Sequence, residues 1–125
     1  MRFPIQGDVV VIDAEPHSGI EYGGHDQATG NVKRYMVVMS SSEYNQMTGL
    51  ILAMPITTVE KYHNNPHYMP ILISGNSETG VKGYVVLWQL QNFDYGARHG
   101  RIVNHISVRL FNQLTPYVHD MLGLN

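Results

Sequence analysis

The chain has 125 residues, of which 43% are hydrophobic and 14% are charged, and its formal net charge is −2. That length and balance fit a single globular domain, residues 1–125, whose small core would gain stability from oligomerisation. The absence of cysteine excludes a disulfide framework and a thiolate metal site. Because the N-terminus lacks a signal-peptide core and no run could span a bilayer, we expect a cytoplasmic protein without a membrane segment.

The negative charge argues against a broad nucleic-acid-binding surface, since non-specific binders draw their affinity from many cations. Only local basic clusters could hold a polyanion. The chain offers two of them, Lys33-Arg34 and Arg98-His99 with Arg101. Ordinary solvated surface is the alternative interpretation for most of these residues.

In the first half of the chain, apolar runs bounded by turn residues predict β-strands. Residues 15–33 are predicted to form a long polar loop, and loops of that length in compact domains are usually functional or mobile. The third apolar run is nearly continuous, which predicts burial on both faces, and Pro55 within it predicts a bulge or an edge position. The predicted strands are residues 7–14, 34–41 and 50–59, with a turn region at 42–49.

In the second half, two strands are predicted at residues 69–73 and 81–88, after a polar connection at 61–68. Residues 106–122 have helical spacing of their apolar side chains. Pro116 should kink that helix or start a second one with Thr115 as its N-cap. Many short strands with Gly/Asn turns are typical of a small barrel, so we expect a mainly β fold with a C-terminal helix.

An ordered set of motifs accompanies these strands and is more specific than any one of its members. The set comprises Gly7-Asp8, Pro16, Gly19, Glu21, Arg34, Ser40, Tyr44-Asn45, Thr48-Gly49 and Pro55-Ile56-Thr57-Thr58. In this order it resembles the MazF/PemK family of toxin endoribonucleases, or mRNA interferases. The resemblance extends over nearly the whole chain, although the second half is similar in pattern rather than in residues. It implies an SH3-like β-barrel of the CcdB/MazF type with a C-terminal helix.

The resemblance also implies a function: a toxin of a type II toxin–antitoxin system that cuts single-stranded mRNA through attack of the ribose 2′-hydroxyl, without metal or cofactor. Arg34 would stabilise the crowded phosphorane by paired, charge-assisted hydrogen bonds, and Thr57 would contact the phosphate. Glu21 would act as the base or would orient Arg34. The family further implies a homodimer and a cognate antitoxin whose extended segment fills the RNA groove.

Other RNA contacts are predicted with less specific support. They are Lys33, His25, Thr58, Trp88 and Gln89. Residues 26–33 lengthen the link between Glu21 and Arg34 relative to family members, so an unusual RNA sequence preference is expected. Trp88 stands where family members often have an acidic residue, so a catalytic role cannot be transferred to it. It could instead stack on a base or pack in the core or a dimer interface.

Two other functions stay open. A barrel of this kind could bind RNA or a peptide without cleaving it, and Trp88 together with the negative charge favours that alternative. A CcdB-type gyrase inhibitor shares the fold but depends on a tryptophan near its C-terminus, which this chain lacks. His63 and His67 flank a proline and have no third ligand in a motif, so no metal site is predicted.

Overall fold

The computed structural model describes residues 2–14 and 33–124. Within these ranges the chain forms antiparallel strands, two α-helices and one turn of 3-10 helix at Glu60–Tyr62. No helix in them is long and apolar enough to cross a membrane. The elements are β1 (Asp8–Asp13), β2 (Lys33–Val38), α1 (Ser42–Thr48), β3 (Leu50–Thr57), β4 (Tyr68–Ile73), β5 (Val81–Val86), β6 (Gln91–Asp94), β7 (Arg101–His105) and α2 (Val108–Leu122).

The strands build one sheet in the order β4-β5-β3-β2-β1-β7, with β6 paired to β3 beside this path. Strand β3 is central: β2 lies on one side, and on the other the partner changes from β6 to β5. The change falls between Ala53, which faces Gln91, and Ile56, which faces Val85. Pro55 lies in this interruption of the ladder, which explains how a residue without a backbone N–H is tolerated in a central strand.

Side chains alternate along the strands and build an apolar core on each face of the sheet. On one face α2 covers the sheet, and its Leu114 is fully buried in a core that also contains Val37 and Val85. The opposite face, which we call the Ile12 face, is lined by Val10, Ile12, Met36, Val38, Ile51, Ala53 and Phe93. Strand β3 contributes to both cores, so its predicted burial on two faces is confirmed.

The edge strands β4 and β7 are linked through side chains rather than a ladder. Asn104 on β7 donates from Nδ2 to the carbonyl oxygen of Thr79, at 2.9 Å, in the turn between β4 and β5. The Tyr35 hydroxyl donates to the carbonyl oxygen of Glu78 in the same turn, at 3.2 Å. These bonds attach the turn between β4 and β5 to β7 and β2, and the predicted mainly β fold with a C-terminal helix is confirmed.

Residues 42–48 form helix α1 and Gly49 is its C-cap, so the predicted turn region is wrong. Ser41 Oγ accepts a hydrogen bond from Tyr44 N at 3.2 Å and caps the first turn, and Gly49 ends the helix with φ at 74°. Asn45 is fully buried and donates from Nδ2 to the carbonyl oxygen of Pro4 at 2.9 Å. The polar residues that suggested a turn are therefore the caps and the buried anchor of a two-turn helix.

Helix α2 is one continuous helix through Pro116, and its N-cap is Ser107, which accepts from Leu110 N at 3.1 Å. The alternative of a second helix capped by Thr115 is therefore wrong. Pro116 has no N–H for the carbonyl oxygen of Asn112, four residues before it. The Thr115 hydroxyl donates to that oxygen instead, at 3.2 Å. This local substitute explains why the helix does not stop at the proline.

Candidate active site

Arg34 and Thr57 lie on the same face of neighbouring strands. Arg34 pairs with Ile12 across β1 and β2, so it belongs to the Ile12 face. Strands β2 and β3 pair through Met36 and Pro55. Extending this antiparallel register by two residues along each strand places Arg34 opposite Thr57. The side-chain alternation agrees, because Thr57 is an even number of residues from Ala53, which lies on the Ile12 face.

The two side chains differ in accessibility. Arg34 is partly buried, whereas Thr57 is only 1% exposed. Thr57 Oγ1 accepts a hydrogen bond from Val59 N at 3.4 Å, and in the described part of the chain this is its one recorded hydrogen bond. The hydroxyl hydrogen therefore remains to be donated to an incoming oxygen. A fixed cation and a hydroxyl donor at one place can both stabilise negative charge that develops on a phosphate.

Gln91 adds a carboxamide to the same face, because it pairs with Ala53 across β3 and β6. Its Nε2 donates to Oε1 of Gln89 at 2.6 Å, and Gln89 is itself 8% exposed. Gln89 is among the residues that the sequence predicts to contact RNA, whereas Gln91 is not. The alternation of Gln91 with Phe93 would have assigned it to a buried face, but β6 is short and polar and was not predicted as a strand.

The two basic clusters of the sequence meet across β1. Lys33 pairs with Asp13, and Arg101 pairs with Val11 on the other side of the same strand. Arg98 donates from Nη1 to the carbonyl oxygen of Asp13 at 3.0 Å. The end of the sheet that bears Arg34 therefore gathers cations from β2, β7 and the turn before β7. A local basic surface of this kind can bind a polyanion even though the net charge is negative.

The Asp13 carboxylate lies at the centre of this basic cluster. Lys33 Nζ donates to its Oδ1 at 2.8 Å, and His99 Nδ1 lies 2.7 Å from its Oδ2. The hydrogen bond from Lys33, followed by that from His99, lowers the pKa of Asp13 below its ordinary value of 3.8. The fold therefore favours the ionised form of Asp13.

A depressed pKa contributes stability above the unfolded pKa, and that stability is lost as the pH falls through the lower folded pKa. We expect Asp13→Asn to reduce the free energy of unfolding at pH 7, by at most about 1 kcal/mol because the pair is near the surface. The difference from the wild type should shrink below about pH 4. Urea unfolding of both proteins at pH 7 and pH 3 measures this difference in stability. An equal loss of stability at the two pH values would contradict a lowered pKa for Asp13.

The other predicted contacts are distributed as follows. Thr58 is exposed and lines a cavity of about 650 Å³ with Glu60, Leu72, Lys82 and Tyr84, a group that includes neither Arg34 nor Thr57. Trp88 is 40% exposed in the turn between β5 and β6. Among the residues that the structure describes, no three His, Asp or Glu side chains are grouped so as to hold a metal ion.

Three predictions fall on parts of the chain outside the described residues. Glu21 and His25 lie there, and so do residues 26–32 of the lengthened loop. Lys33, the last residue of the predicted loop, is instead the first residue of β2, where it is exposed. The geometry on which the site rests is thus that of Arg34, Thr57 and Gln91.

The fold is shared with solved toxin structures. The crystal structure of MazF from Deinococcus radiodurans superposes with a TM-score of 0.77 at 22% identity, covering 99% of this chain and 100% of that one. A MazE–MazF structure from the same organism gives a TM-score of 0.70 at 22% identity, covering 98% of each chain. At this level of identity the likeness concerns the fold.

Sequence comparison extends the likeness to the family. The endoribonuclease toxin MazF of Escherichia coli (strain K12) is 33% identical over 78 residues, which are 62% of this chain. The matched segment spans 60% of the length of that relative. The family described as PemK-like, MazF-like toxin of type II toxin-antitoxin system matches residues 5–122. Because this match takes in nearly the whole chain, the protein belongs to the PemK-like, MazF-like toxin family, and the family predicted from its motifs is confirmed.

Proposed function

We propose that this protein is a metal-independent endoribonuclease that cuts single-stranded mRNA, and that it is the toxin of a type II toxin–antitoxin pair. The observation that carries the proposal is that the strand register brings Arg34 and Thr57 to one end of the Ile12 face. Arg98, whose guanidinium lies 4.8 Å from the centre of the Phe93 ring on the Ile12 face, supports it, because a cation there can contact the RNA backbone. The E. coli relative is named an endoribonuclease toxin.

In the proposed reaction the ribose 2′-hydroxyl gives its proton to a base and its oxygen attacks the adjacent phosphorus, while the 5′-oxygen leaves and takes a proton from a general acid or from water. The products are a 2′,3′-cyclic phosphate and a 5′-hydroxyl. Arg34 offers paired N–H donors to the oxygens of the phosphorane, where the negative charge is greatest. Thr57 donates its free hydroxyl hydrogen to the same group. Glu21 takes the 2′-hydroxyl proton or orients Arg34.

The proposal includes two protein partners. Solved structures of the D. radiodurans relative contain MazE with MazF, and a mycobacterial endoribonuclease is described in complex with its cognate antitoxin. By analogy, an antitoxin would inhibit this chain by occupying the RNA groove with an extended segment. The active form would be a cytoplasmic homodimer.

The mechanism predicts that one modification of the RNA, a 2′-deoxy sugar at the cut site, abolishes cleavage. Cleavage in the presence of EDTA should continue, and a single 2′-deoxy sugar at the cut site should abolish it, because the attacking oxygen is then missing. End analysis of the products by mass spectrometry identifies the cyclic phosphate. RNA with the deoxy sugar one nucleotide away is the matched control and should still be cut.

Other outcomes separate the alternatives. Continued cutting at the deoxy position would refute attack by the 2′-oxygen. RNA that is bound but left intact, with binding unaffected by Arg34→Ala, would instead favour a non-catalytic binding barrel, in which the partly exposed Trp88 could stack on a base.

A further inference from the structure

Gln91 carries a polar atom that the proposed chemistry does not use. In the part of the chain that the structure describes, its Oε1 is buried and accepts no hydrogen bond. Buried polar groups are nearly always paired, because an unpaired one loses its interactions with water without compensation. An exception at a candidate site calls for a functional explanation.

The orientation of the Gln91 carboxamide is set by its neighbour. Nε2 donates to Gln89 Oε1 at 2.6 Å, and Gln89 is almost fully buried at the end of the turn between β5 and β6. One of the two Nε2 hydrogens is used in this way, and Oε1 is the buried atom of the carboxamide that is left without a partner. The pairing of Gln91 with Ala53 sets that acceptor on the Ile12 face, which Arg34 and Thr57 share.

We propose that Gln91 is a specificity-determining residue, whose Oε1 accepts a hydrogen bond from the amino group of one RNA base beside the cut. This inference rests on the proposed endoribonuclease function. Unpaired bases in single-stranded RNA expose their Watson–Crick edges and are read by such hydrogen bonds. Adenine, cytosine and guanine carry an exocyclic amino group, and uracil does not. The site therefore selects an amino-bearing base at one position.

A purely structural role for Gln91 predicts a different outcome on substitution. The Ile12 face around it is apolar, with Ala53 opposite and Phe93 two residues along the same strand. Methionine has a similar length and needs no hydrogen bond. Gln91→Met leaves Gln89 Oε1 without the Nε2 donor and should lower the resistance to urea somewhat, but a purely structural role predicts this loss with no change in the cleavage profile.

The experiment compares cleavage of a randomised single-stranded RNA pool by the wild type and by Gln91→Met, with sequencing of the 5′-hydroxyl ends. The wild type should prefer an amino-bearing base at one position by roughly 10-fold to 100-fold. The variant should lose that preference at that position alone. At the selected position, purine for adenine, inosine for guanine or 4-deamino-cytosine for cytosine should reproduce the loss with the wild-type enzyme.

Gln113→Met is the matched control, because Gln113 is exposed on α2 and the same change there should leave the profile intact. A Gln91→Met enzyme that cuts with an unchanged profile would overturn the inference while leaving the proposed function in place. A wild-type preference for uracil at the position that Gln91 controls would also overturn it. If the wild type cuts no RNA, the proposed function fails and the inference fails with it.

Discussion

Arg34→Ala should lower the rate of RNA cleavage on the order of 100-fold to 1000-fold, the loss typical when one preorganised donor to a developing negative charge is removed. The guanidinium is partly buried on the Ile12 face, so its charge is less screened by water than that of a surface cation. Single-turnover cleavage of a defined single-stranded RNA measures the change. Thermal unfolding of the same preparation shows whether the fold is intact.

Two further variants make the result specific. Arg34→Lys keeps the charge but loses the planar pair of donors, so it should recover only a small part of the activity. Arg109→Ala removes an exposed arginine from α2 and should leave cleavage unchanged. Turnover like that of the wild type in a folded Arg34→Ala protein would remove Arg34 from the site.

Gly83→Ala should weaken both the fold and the cleavage, because the backbone of Gly83 on β5 lies directly against Thr57 on β3. A Cβ atom there would overlap the backbone carbonyl oxygen of Thr57 and would lie 3.1 Å from Cγ2 of Ile56. The strands must separate to admit it, which should cost about 1–3 kcal/mol of stability. A displacement of Thr57 by about 1 Å could reduce cleavage on the order of 100-fold. Urea unfolding and single-turnover kinetics measure the two effects.

Gly123→Ala provides the control for the added methyl group. No atom lies within 4 Å of a Cβ built at Gly123, although its φ of +70° disfavours alanine. That variant should lose about 1 kcal/mol of stability and keep its activity. A Gly83→Ala protein that cleaves RNA at the wild-type rate would show that the position of Thr57 does not limit the reaction.

Local residue order was sufficient to predict the strands β1 to β5 and the helix α2, because an apolar run or a helical spacing of apolar side chains marks each of them. Residue order was also sufficient to identify the family, because the motifs and their order can be recognised without knowing which residues are in contact. The same local reasoning failed for α1, where Ser41, Asn45 and Gly49 are typical of a turn as well as of a capped short helix. It missed β6 and β7 because four or five residues with polar side chains give little periodic signal.

The composition of the site was decided by contacts between distant segments. Arg34 and Thr57 were named from motifs, but the face that they share depends on the register of β2 against β3, and a slip of one residue would turn every side chain to the other face. Gln91 joins them only because β6 pairs with β3. The two basic clusters, more than 60 residues apart in sequence, meet because β1 lies between β2 and β7. Such register is set by packing of the whole sheet, which no local pattern encodes.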